Sequence, residues 1–231
     1  DGADSRTIGG VLSAIQRSFT RRLIEMAEDE LGPPPVPYCY LNLGSAAREE
    51  QSVVTDQDNA LVLADDYDPA RHGAWFRELA HRVSDGLAAC GYRYCSGGIM
   101  GTTERWRQPL HVWQGYFSDW ITRPSPERLL HSAIFFDLDA VHGDFSLMEP
   151  LRDLVVDLAP RHPLFLAALA RNAVNRTPPL GLFRTFVVET DGRQRESFNI
   201  KNRGTAPLVD LIRVHALACG SLENNSFARL D

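Results

Sequence analysis

The sequence predicts an α/β (α+β) domain over residues 1–145, followed by a mostly helical domain over residues 146–231. Two observations carry this reading. Between Val36 and Cys90 the chain runs strand, short helix, strand, long helix, an alternation that belongs to α/β architectures. From Phe145 onward the pattern changes to leucine-rich helical periodicity, through Leu147, Leu151, Leu154, Val155 and Leu158 and then from Leu164 to Val174. The length of 231 residues suits one large domain or two small ones, and 44% hydrophobic with 23% charged residues is an ordinary globular composition.

Element by element, apolar residues from Ile8 to Leu31 recur at helical spacing (Leu12, Ile15, Phe19, Leu23, Ile24, Met26), and Gly32 with three prolines ends that amphipathic helix. Val36 to Leu43 reads as a strand broken by Gly44-Ser45, and a short helix is expected from Ala46 to Ser52. Asn59 to Ala64 is a second run of strand length, and a long amphipathic helix follows from Pro69 to Cys90. SGGIMGTTERWRQP reads as a loop. His111 to Ile121 carries Trp113, Phe117 and Trp120 at helical spacing and reads as a packed helix, with Trp106, Trp113 and Trp120 as core residues. Ser132 to Leu138 is a third strand candidate, with a turn at Gly143. Leu182 to Val188 is a short β-like piece, and Ala206 to Cys219 a final helix.

Composition narrows the function classes. Thirty acidic against 24 basic residues give a formal net charge of -6, which opposes bulk attraction to nucleic acid or anionic lipid. Lys201 is the single lysine among those basic residues, a bias that reads as genome base composition. No apolar run approaches the ~20 residues of a membrane span, and no signal peptide is apparent, so a cytoplasmic protein is expected. The cysteines Cys39, Cys90, Cys95 and Cys219 form no CxxC pair and read as free thiols. Without an initiator Met, and stopping at FARLD within a helical pattern, the chain is expected to be a piece of a longer protein with a truncated second domain.

Chemistry concentrates in YLNLGSAAREEQSVVTDQDNALVLADD. Gly44-Ser45 ends a strand, Arg48 lies one turn into the next helix, and Asp56 and Asp58 open the following strand. Residues two apart on a strand share a face, at about 6 to 7 Å, so both carboxylates can converge on divalent ions. Mg2+ (or Mn2+) suits a site of Asp residues without His or Cys, because it takes a few carboxylate oxygens plus ligand phosphates. Gly44 lets a phosphate approach the backbone, Ser45 offers a hydroxyl and an amide, and a helix N-terminus favours an anion. Taken singly, each feature is more often a solvated acid pair or a helix cap; their order and spacing make the signal.

That ordered set resembles the DNA polymerase beta-like nucleotidyltransferase superfamily. GSAAREEQSVVTDQDNALV resembles more narrowly a bacterial nucleotidyltransferase family found attached to CBS or cyclic-nucleotide-binding domains and related to the PII uridylyltransferase. The likeness extends through LGPPPVPYCYLNLGS, SGGIMGTTERWRQPLHVWQGYFSDWI, AIFFDLDAVHGD, PPLGLFRTFVVE and NIKNRGTAPLVDLIRVHAL. It implies a mixed-sheet nucleotidyltransferase domain and a helical substrate-binding domain. It also implies transfer of NMP from an NTP to an unknown acceptor, protein side chain or small molecule, with pyrophosphate release. Asp56, Asp58 and Asp137 match the catalytic metal-binding carboxylates, and Gly44, Ser45 and Arg48 the phosphate motif. The chain departs from the family at Ala47, where glycine is usual, at Asp139, where a basic residue is usual, and at Asn199, where Asp is usual. A nucleotide-sensing module without turnover is the alternative.

Other signals are weaker. SGGIMG lacks the lysine of a P-loop and reads as a turn lining the cleft. Arg184 is either a surface residue or a ligand for an anion. Lys201 falls on a lysine-bearing stretch of the family and is taken as a nucleotide-phosphate or acceptor contact, so that Lys201→Arg is expected to cost activity.

Overall fold

The computed structural model describes residues 2–175, 189–190, 196–197 and 204–231. Its frame is a four-stranded mixed sheet in the order β3-β2-β1-β4. β1 (Tyr38–Leu43) runs antiparallel to β2 (Asn59–Leu63) and to β4 (Leu138–Gly143), and β3 (Arg107–Pro109) runs parallel to β2 at the edge. Every residue of β1 is buried, which explains its continuous apolar reading. Alternate side chains feed two cores. Tyr38 and Tyr40 join Ile24 of α1 (Ser5–Leu31) and Phe76, Leu79 and Val83 of α3 (Pro69–Ala89). Cys39, Leu41 and Leu43 join the aromatic cluster of α4 (Leu110–Thr122) and α5 (Pro126–Phe135).

Local chemistry sets the helix starts. The Asp4 carboxylate accepts from the Thr7 amide at 2.7 Å to open α1, and Gly32 ends it. Asp68 caps α3 through the Ala70 amide at 2.9 Å, with Pro69 in the first turn. Trp106, Trp113 and Trp120 are core residues, as expected, and the Trp113 indole donates to the Leu61 carbonyl at 3.0 Å.

Three expectations change. The stretch Ser132–Leu138 is not a strand: Ser125 caps a helix with Pro126 in its first turn, and α5 continues through Phe135 before β4 begins at Leu138. Its apolar run fits helix and strand alike, and the upstream cap decides. The loop SGGIMGTTERWRQP contains β3, whose three residues are too few and too polar to signal a strand. The short helix is α2 (Gly44–Ala47), earlier and shorter than the Ala46–Ser52 reading.

The first helix buries an unexpected face. Gly9, Ser13, Gln16, Thr20, Ile24 and Ala27 point inward, whereas Ile8, Val11, Ile15 and Phe19 lie 43–55% exposed. Small residues are required there because a Cβ on Gly9 would stand 2.3 Å from the Glu49 carbonyl oxygen. The helix thus rests against the loop that follows α2.

After β4, α6 (Glu149–Leu158), α7 (Pro163–Val174) and α8 (Ala206–Ala218) supply Leu151, Val155, Phe165, Leu169 and Leu217 to the same apolar cluster as Phe117 and Phe136. The helical part is therefore built directly on the α4–α5 side of the sheet. A two-residue pair, β5 (Glu189–Thr190) with β6 (Glu196–Ser197), lies between α7 and α8 in sequence. The β-like piece expected over Leu182 to Val188 lies outside the described residues.

Candidate active site

The acid pair occupies a strand-like approach to β2. Thr55, Gln57 and Asn59 are buried, while Asp56 and Asp58 between them are partly open, the alternation of an extended segment with one dry face. Gln57 anchors the dry face: its side-chain amide donates to the Ser84 carbonyl at 2.9 Å and the Tyr92 carbonyl at 2.8 Å. The Gln57 amide also donates to the Arg93 carbonyl at 2.7 Å. From the glycine-rich loop, the Gly101 amide donates to Asn59 Oδ1 at 2.8 Å, and the Asn59 amide donates to the Ile99 carbonyl at 3.2 Å. That loop packs along the acid motif. Asp56 pairs with Arg93 at 3.0 Å in an exposed ion pair, weakly held and easily exchanged.

Gly44 meets the same place from β1. Its φ of +55° lies in the left-handed region, and a Cβ there would stand 3.4 Å from Asp58 Oδ2, so the glycine and the second acid are neighbours. The Cys95 thiol is nearby, its pKa raised first by burial and then by the Asp58 charge. Ala47 is helical and needs no glycine; among the described residues, Glu49 is the non-glycine residue with positive φ, at +58°. With one turn only, α2 contributes little dipole to an anion near Ser45.

Arg48 and Asp137 build a second cluster. Asp137, wholly buried just before β4, accepts at Oδ2 from Arg48 and from Arg213 of α8, each at 2.7 Å, and at Oδ1 from Arg229 at 2.7 Å. Glu50 holds the far side of Arg48 at 2.9 Å, and Asp210 pairs with Arg213. Burial alone would raise the Asp137 pKa, but Arg213, Arg229 and Arg48 outweigh it and hold the carboxyl far below the usual carboxylate range. The residues before Arg229 tie down the same loop: Asn225 donates to the Arg48 carbonyl at 2.8 Å, Asn224 to the Leu138 carbonyl at 2.6 Å, and the Ser226 amide to Glu50. Asp139 is compensated from α1, where Arg17 donates to it at 2.8 Å.

The fold thus brings Gly44 beside Asp58 and Arg48 beside Asp137, with Asp56 turned to Arg93. Among the described residues, no three His, Cys, Asp or Glu side chains stand where they could share a metal ion. Asp56 and Asp58, open and on one face, fit a cation that takes two carboxylates plus ligand phosphates. Asp137, with both oxygens accepting from arginines, does not join them in this arrangement. Lys201, Asn199 and Arg184 lie outside the described residues. Glu50, which on a short helix is ordinarily solvated, is largely buried against Arg48; Arg213 and Arg229 carry no local motif, although Arg213 is a charge on the otherwise apolar face of α8 that buries Ala216 and Leu217.

No described helix is long and apolar enough to cross a membrane. No curated protein matches the chain. Residues 163–231 match the domain described as "Putative nucleotidyltransferase substrate binding domain". Residues 1–127, more than half the chain and spanning Gly44-Ser45, Arg48, Asp56 and Asp58, match a second description, and by that match the chain belongs to the family "Putative nucleotidyltransferase DUF294".

Proposed function

We propose that the chain moves an NMP group from an NTP to an acceptor with release of pyrophosphate, in a Mg2+-dependent reaction centred on Asp56 and Asp58. The observation that carries this reading is the open pair Asp56 and Asp58 on a segment whose intervening residue, Gln57, is locked into the core, with Gly44 alongside. Asp56 and Asp58 would hold the divalent cation, which when bound neutralises phosphate charge as the acceptor attacks the α-phosphorus. Gly44 leaves the backbone open to a phosphate, Ser45 supplies a hydroxyl, and Arg48 supplies a guanidinium whose present partners are carboxylates.

The part from residue 146 onward would present the acceptor, in keeping with the substrate-binding description of residues 163–231. The resemblance to chains attached to CBS or cyclic-nucleotide-binding domains and to the PII uridylyltransferase leaves two acceptor classes, a protein side chain and a small molecule. Lys201, on a lysine-bearing stretch of the family, would contact phosphate or acceptor. A second reading, a nucleotide sensor without turnover, is favoured by one observation: Asp137 is neutralised by three arginines.

The deciding experiment incubates the protein with each α-labelled NTP, Mg2+ and a cell extract. Label transfer with pyrophosphate release, lost in folded Asp56→Asn and Asp58→Asn variants, is the expected result. Binding without transfer identifies the sensor, and transfer that survives both substitutions refutes the site.

A further inference from the structure

The Asp137 cluster is built like an anion site with an anion already in place. Arg48 from the loop after α2, Arg213 from α8 and Arg229 from the C-terminal segment converge on one carboxylate. Both C-terminal arginines have side chains only 3% exposed. Three guanidiniums bring many more N–H donors than one carboxylate can accept. Among the described residues, Arg213 Nε and Arg229 Nη1 are buried without a hydrogen-bond partner. A polyphosphate supplies the extra acceptor oxygens, and guanidinium forks match phosphate as well as carboxylate. Glu50, Asp210 and the Glu223 carbonyl hold Arg48, Arg213 and Arg229 from outside, so all three keep a partner when the central anion is exchanged. Arg48, the most open of the three at 12%, marks the way in, and it follows directly on Gly44-Ser45.

We propose that Arg48, Arg213 and Arg229 form a receptor for a polyphosphate anion, the triphosphate of the substrate or the pyrophosphate product, and that Asp137 is the internal competitor occupying it beforehand. The proposal rests on the nucleotidyl-transfer reading and extends its phosphate site to two arginines from the helical part. Binding exchanges one set of hydrogen bonds for another, with no covalent change. It also couples the two parts of the chain, because Arg229 and the Asn225 contact to the Arg48 carbonyl belong to one segment.

The test titrates the full chain with inorganic tripolyphosphate, and separately with pyrophosphate and each NTP, in EDTA, by calorimetry. Removing the competitor in Asp137→Asn should tighten tripolyphosphate binding about tenfold, whereas Arg229→Met should weaken it about tenfold, the effect of one charge-assisted hydrogen bond. A folded Asp137→Asn variant that binds no more tightly than the parent overturns the proposal. Should that variant fail to fold, Arg229→Met decides: unchanged affinity overturns the proposal, as does a weakening that vanishes at high salt, where only through-space attraction is screened. Expected shifts with tripolyphosphate, in a chain that binds no NTP even when Mg2+ replaces the EDTA, keep the receptor and remove the nucleotidyl-transfer reading. Unaltered binding of tripolyphosphate, pyrophosphate and NTP in both variants removes the receptor and leaves that reading standing.

Discussion

Arg213 and Asp137 form an ion pair at 2.7 Å, with the arginine side chain 3% exposed and the carboxylate wholly buried. Such a pair is expensive to break from one side, because the surviving charge stays out of water. Asp137→Asn at pH 7 is expected to cost about 3–5 kcal/mol, read from the urea midpoint.

The same pair predicts an acid dependence. Asp137 has its folded pKa depressed below the ordinary 3.8, so the unfolded chain binds the proton more readily. Its stabilisation is fully present above pH ~4 and is lost as pH falls toward the depressed folded value. The gap between parent and Asp137→Asn should therefore narrow in urea titrations below pH 4. A gap independent of pH between 7 and 3 would contradict the ionised pair.

Gln57 supports the acid motif from below. Gln57→Leu leaves the Ser84 and Tyr92 carbonyls without their side-chain donor and is expected to lower stability by about 1–3 kcal/mol. If the segment holds Asp56 and Asp58 on the open face, nucleotide binding in Mg2+ should weaken in the variant while it is still folded. Equilibrium dialysis checks this, and full affinity would show that the motif does not depend on the anchor.

Gly9 reports on α1. A methyl group there would press on the Glu49 carbonyl oxygen, which is backbone and cannot rotate away. Gly9→Ala should destabilise by about 1–3 kcal/mol through overpacking, whereas Gly10→Ala, which meets nothing within 4 Å, should be neutral or slightly stabilising. Equal thermal midpoints for the two variants would refute the close approach.

The thiols should separate by reactivity. Burial pushes the Cys39 thiol up to about 12, whereas Cys90 and Cys219 are exposed. A thiol reagent at pH 8, mapped by peptide mass, should label Cys90 and Cys219 in the native chain and reach Cys39 only after unfolding.

Much of the architecture was readable in the chain because its signals are local. Helical spacing with Asp68-Pro69 at its start locates α3, and continuous apolar runs locate β1 and β2. The family match over residues 1–127 spans Gly44-Ser45, Arg48, Asp56 and Asp58, which are close together in sequence. Where signals were ambiguous, non-local pairing decided: β3 exists because Arg107, Gln108 and Pro109 lie beside Leu61–Leu63, and Asp137 stands just before β4 because Ser125 caps α5 upstream. The buried face of α1 was equally hidden, since it mixes Ser13, Gln16 and Thr20 with Ile24 and Ala27, and the close approach to Glu49 requires glycine at position 9.

By itself the sequence determined the α/β class, the position of the acid pair and the family. Only the tertiary structure decided what Asp137 and Arg48 touch. Arg229 stands 92 residues from Asp137 and 181 from Arg48 by their numbering, so no spacing rule could join them. They meet because a buried carboxylate needs cations, and the fold supplies them from three separate segments.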